Sequence, residues 1–145
     1  MIAGTSAGAM VIPSVIIASG GQTEAILHQK LAISSGFSLL PEGIVDTHFI
    51  KLGRFSRLAH AILLSPEKIG IGLGEDSAVL IRQGEEAECI GSGMVIIIDG
   101  SEIQQTNIAE VEEGEPIYLD NVRAYFLVRR CKFLLKEHKF IPPKS

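Results

Sequence analysis

Apolar positions along the chain recur with two spacings, and the change from one to the other sets out its elements. Phe55, Leu58, Ala59 and Ile62 stand at i, i+3, i+4 and i+7, the stripe of an amphipathic helix that Ser65-Pro66 ends. From Lys68 onward the runs are short and strand-like, at 69–73, 78–81, 88–90, 94–98, 117–119 and 122–128, divided by Gly, Gln-Gly and Asp-Gly. Ahead of the helix, the β-branched content of Ile44 to Phe49 predicts a strand that ends at polar residues. At the start, Met1-Ile2-Ala3 reads as the end of a strand entering the turn Gly4 to Gly8. Ala7 to Ile12 then reads as a short buried helix stopped near Pro13, with Gly20-Gly21 in the loop beyond. Three residues are too few for a central strand, so further elements are expected upstream of Met1.

One helix and many strands predict an α/β fold with a mixed sheet whose antiparallel part lies toward the C-terminus. The chain of 145 residues fits one domain, taken here as 1–140, with 141–145 a loose tail. The glycine-rich run Gly70 to Gly74 lacks the Lys-Ser/Thr of a phosphate-binding loop and is not followed by a helical pattern. It is read as a strand that turns closely past the helix following Ser6.

Composition narrows the function classes. Hydrophobic residues make up 46% and charged residues 21%, which is the balance of a folded globular protein and not of a disordered one. A net charge of -4 gives no support for nucleic-acid binding. Cys89 and Cys131 are too few and too far apart for a disulfide framework or a zinc site, and they read as buried thiols. The apolar stretch Met10 to Ala18 lacks a basic leader and is interrupted by Pro13 and Ser14, and no run is long enough for a membrane span. A cytoplasmic location without a membrane partner is the expectation.

Candidate chemistry begins at Gly4-Thr5-Ser6-Ala7-Gly8, which fits the G-x-S-x-G elbow that exposes a serine hydroxyl between a strand and a helix. Taken alone, the pentapeptide is equally a tight turn. A serine nucleophile needs a neighbouring base. Of His28, His48, His60 and His138, only His48 lies at the end of a predicted strand, immediately before a basic helix entrance.

Three ordered motifs then carry a resemblance. Ser6 in GTSAGA, Asp46-Thr47-His48-Phe49 with Gly53-Arg54-Phe55-Ser56-Arg57-Leu58, and Gly70 to Ala78 in GIGLGEDSA occur in the order and spacing of the cyanophycinases, a branch of the serine peptidases of family S51. Gly91-Ser92-Gly93 and Asn107 to Pro116 extend the similarity over nearly the whole chain.

The resemblance implies a three-layer fold of the class I glutamine-amidotransferase-like (flavodoxin-like) type, represented here by its C-terminal portion and truncated at the N-terminus. It implies Ser6 as nucleophile, His48 as general base and Glu24 as the orienting carboxylate, with the Ala7 amide as an oxyanion donor and no metal or cofactor. The implied substrate is cyanophycin, a poly-aspartate with arginine on each side-chain carboxyl, cleaved to β-aspartyl-arginine. Arg54 and Arg57 would grip its carboxylate, Asp46, beside the base, would help receive its arginine, and Thr47 would also contact substrate. Leu52 and Thr47 depart from the arginine and glutamine common in that family and put strict cyanophycin specificity in doubt. The alternatives are a peptidase E-like aspartyl dipeptidase and a non-catalytic fragment. An apolar face left uncovered by truncation makes homo-oligomerisation an expectation.

Overall fold

A computed structural model describes residues 1–145. Its centre is a four-stranded mixed sheet in the order β3-β4-β7-β8, formed by β3 (Gly43–Asp46), β4 (Ile69–Leu73), β7 (Val95–Asp99) and β8 (Arg123–Leu127). β3 and β4 run parallel, joined by the helix α2 (Phe55–Leu64), and the later pairs are antiparallel. A second, antiparallel sheet of β5 (Ser77–Arg82), β6 (Glu86–Gly91), β9 (Lys132–Leu134) and β10 (Lys139–Ile141) has the order β10-β9-β6-β5. Near the N-terminus, α1 (Ala7–Met10) leads into the hairpin of β1 (Val15–Gly20) and β2 (Leu31–Ser35).

The period-2 alternation of strands builds the core on both faces of the central sheet. Val45, Ile69, Ile71, Val95 and Ile97 pack with Ala87, Cys89, Phe133 and Leu135 of the second sheet side. Their neighbours Ile44, Ile96 and Ile98 turn the other way and pack with Leu58, Ala61 and Ile62 of α2, and with Ile17 and Leu31 of the hairpin. Burial on both faces explains why β7 reads as an unbroken apolar run. The layers are therefore helix with hairpin, mixed sheet, antiparallel sheet.

β4 alternates Ile with Gly because α2 and the segment before it press on that face. A Cβ at Gly72 would fall 2.5 Å from the Phe49 ring, and one at Gly70 would fall 3.0 Å from Leu58. The glycine-rich run is thus a strand, as read, but the helix it passes under is α2 and not α1, which follows Ser6.

Several elements differ from the sequence reading. α1 ends at Met10, and β1 and β2 occupy stretches read as loop or unassigned. The strand expected over 44–49 stops at Asp46, because the chain turns at Thr47 and His48 has a φ of 50°. Residues 117–119 form no strand, only the isolated bridge of Leu119 with Thr106, in a loop held by Asp120, whose carboxylate accepts the amides of Gln104 and Gln105. Ile141 belongs to β10, so the tail begins at Pro142. Both cysteines are buried and unpaired, and no helix is long and apolar enough to cross a membrane.

Candidate active site

Ser6 sits at the N-terminal boundary of α1 with φ 51° and ψ -128°, a conformation side chains rarely adopt. The flanking glycine makes it possible: a Cβ at Gly4 would lie 2.4 Å from the Gly8 carbonyl oxygen. The sharp turn leaves the hydroxyl exposed, which is what the elbow pattern requires. The Ala7 amide that follows donates to no carbonyl of the chain.

The second contributor comes from the parallel pair β3 and β4, whose C-terminal ends lie side by side with Asp46 opposite Gly72. His48 stands two residues past Asp46 and Glu75 three past Gly72, so both arrive at the same edge of the sheet. The Phe49 amide donates to the Leu73 carbonyl at 3.1 Å and fixes the two segments together.

Three side chains therefore form one relay. Ser6 Oγ and His48 Nε2 are 3.4 Å apart, at the long end of hydrogen-bonding reach, and His48 Nδ1 and Glu75 Oε1 are 2.7 Å apart. In the neutral tautomer whose Nδ1–H donates to the carboxylate, Nε2 is the acceptor directed at the hydroxyl. The side chains of His48 and Glu75 are about half exposed, at 46% and 49%. They open on a cavity of about 690 Å³ with apolar walls that include Leu40, Val45, Ile71 and Val79. The ionisable side chains lining it are His48, Glu75 and Asp76, with no lysine or arginine.

The carboxylate on His48 is Glu75, which corrects the expectation of Glu24. Glu24 lies in the loop between β1 and β2, where its backbone carbonyl accepts from Ser56 Oγ at 2.8 Å. The family resemblance pointed to Glu24. The signal that finds Glu75 is its place just beyond β4, parallel to and adjoining the strand that delivers His48.

The cluster assigned to substrate is also rearranged. Asp46 is fully buried, and its carboxylate is held by Arg54 Nη1 at 3.2 Å and Arg57 Nη2 at 3.0 Å. Arg57 Nε lies 2.9 Å from the other carboxylate oxygen, a charge contact whose angle falls short of a hydrogen bond. Arg57 is only 6% exposed and Arg54 18%, so both guanidiniums are committed to Asp46 and not presented to a ligand. Burial pushes the Asp46 carboxyl above its usual range, opposed first by Arg57 and then by Arg54. Thr47 is buried, lines the cavity and has its hydroxyl 3.5 Å from Met10 Sδ. Leu52 is exposed.

Comparison with known proteins bears on this arrangement. The model of peptidase family S51 matches residues 1–90, which hold Ser6, His48 and Glu75. The chain is 34% identical over 139 residues to a cyanophycinase of Synechococcus elongatus, covering 96% of this chain and 43% of the relative. It is 35% identical over 141 residues to one of Trichormus variabilis, covering 97% and 47%, and 36% identical over 138 residues to one of Geminocystis herdmanii, covering 95% and 51%. The chain thus spans about half the length of the curated relatives it matches.

Proposed function

Since the chain belongs to peptidase family S51, we propose that it carries the catalytic relay of a serine peptidase of the cyanophycinase type, with a glutamine-amidotransferase-like fold. The observation that carries this reading is the continuous path from Ser6 Oγ through the His48 imidazole to Glu75.

In the proposed reaction His48 Nε2 takes the Ser6 proton as Oγ attacks the scissile carbonyl carbon. The oxyanion that forms is met by the Ala7 amide. Collapse breaks the C–N bond, His48 returns the proton to the leaving amine, and an acyl ester remains on Ser6. Water, deprotonated by His48, then releases the acid. Glu75 holds the imidazole in the required tautomer and offsets its positive charge in the transition state.

A β-aspartyl-arginine unit suits the cavity at one end: Asp76 is the carboxylate available to a guanidinium, since Glu75 is engaged by His48. Arg54 and Arg57 do not enter the proposed recognition, since Asp46 occupies them. Incubation with a β-linked aspartyl-arginine peptide and, in parallel, an α-aspartyl dipeptide tests the reading. Release from the β-linked substrate supports the cyanophycinase type, and release from the α-linked substrate alone would favour the peptidase E-like alternative. Ser6→Ala is expected to abolish hydrolysis and labelling by a fluorophosphonate. Unchanged turnover in that variant would remove Ser6 from the mechanism.

A further inference from the structure

We propose that the buried Asp46–Arg54–Arg57 cluster is a positioning device for His48, acting on the peptide plane that precedes the imidazole-bearing residue. The inference rests on the relay reading given above and adds to it a role for three charged groups that touch neither Ser6 nor the cavity.

The geometry is local and specific. Arg54 Nη1 donates to the Thr47 carbonyl at 2.8 Å and to Asp46 Oδ1 at 3.2 Å. The Thr47 amide donates to the same Asp46 oxygen at 3.0 Å. The Thr47 carbonyl and the His48 amide belong to one rigid peptide plane, so the guanidinium fixes the plane about which His48 takes its left-handed φ of 50°. For a residue with a Cβ that conformation is uncommon and persists only where its surroundings hold it. Beyond His48, the Leu52 amide donates to the His48 carbonyl and the Arg54 amide to that of Phe49, both at 3.0 Å. Arg54 therefore grips the segment from its side chain on one side of His48 and from its backbone on the other.

Arg57 completes the device. Anchored on the buried face of α2, it lies against both carboxylate oxygens of Asp46. A carboxylate with two guanidiniums cannot swing without leaving a buried charge unpaired, which is strongly unfavourable. The rigid core of α2 is thereby coupled to the loop that aims the imidazole. That loop must hold Nε2 within reach of Ser6, and displacement by about 1 Å can cost about 10²-fold in rate.

The test separates positioning from substrate recognition by using reagents without a carboxylate. In this chain, Arg54→Leu and Arg54→Lys are compared with the parent by the rate at which a neutral alkyl fluorophosphonate labels Ser6. The low-field Nδ1 proton resonance of His48 is followed by NMR in the absence of any ligand. Positioning predicts that Arg54→Leu slows labelling by about 10- to 100-fold and shifts or broadens the resonance. Lysine, which keeps a charge and a donor, should recover part of both. Unchanged labelling and an unchanged resonance in Arg54→Leu would overturn the proposal, since a residue that only grips a substrate carboxylate affects neither. If Arg54→Leu does not fold, Arg54→Gln is judged by the same two readings. Failure of the parent to label would count against the peptidase reading instead, and the His48 resonance would then decide the positioning role alone.

Discussion

At the scale of single residues, the site depends on which carboxylate meets an imidazole. Glu24 and Glu75 have identical side chains, yet only Glu75 accepts from His48 Nδ1, at 2.7 Å. Removing the charge of an orienting carboxylate leaves the imidazole in the wrong tautomer, which in serine peptidases costs about 10⁴ in turnover. Glu75→Gln is therefore expected to depress hydrolysis by that order, with Glu24→Gln remaining within about twofold, in steady-state assays under identical conditions. Comparable losses in both variants would contradict the assignment. That Ser6 and His48 meet was legible because a small-residue elbow exposes the hydroxyl and His48 stands just past a strand end. Glu75 was not, because its identity is a matter of which strands are neighbours.

The elements show how a sheet is made to accept a helix at close range. α2 was readable from its 3.6-residue stripe, although Arg57 and His60 are buried with it and only the packing reveals this. The Ile-Gly alternation of β4 has a steric cause: Phe49 and Leu58 fill the space that side chains at positions 72 and 70 would need. Gly72→Ala forces the Phe49 ring aside and should cost about 1–3 kcal/mol, read as a lowered midpoint in urea denaturation. A midpoint equal to that of the parent would mean that the ring relaxes freely. Because Phe49 adjoins His48, the same variant should also slow Ser6 labelling. The short strands β9 and β10 were missed because three-residue pairings carry little periodic signal, and what holds them is the burial of Phe133 and Leu135 against the central sheet.

For the molecule as a whole, the two sheets are tied at one end by Asp99, at the end of β7, and His138, just before β10, whose Nδ1 lies 2.9 Å from Asp99 Oδ2. Burial opposes ionisation of Asp99, but the Ser101 amide and then His138 outweigh it and hold its pKa below the ordinary 3.8. A carboxylate depressed in the folded state contributes stability that is present above 3.8 and is lost as the pH falls through the lower folded value. Asp99→Asn should thus lower stability by about 1–3 kcal/mol near neutral pH. The gap between parent and variant should narrow in denaturant titrations as the pH falls below 3.8, and a gap independent of pH would exclude this linkage.

The sequence by itself determined the elbow, the helix, the strand-rich second half and the pairing of Ser6 with His48. The first three are local patterns, fixed by sterics and periodicity within a few residues, and the pairing was legible from an elbow and a strand end. Only the tertiary structure decided which carboxylate meets the His48 imidazole and that Arg54 and Arg57 both close on Asp46 inside the protein. These partnerships depend on strand order and burial, and neither is written in the spacing along the chain.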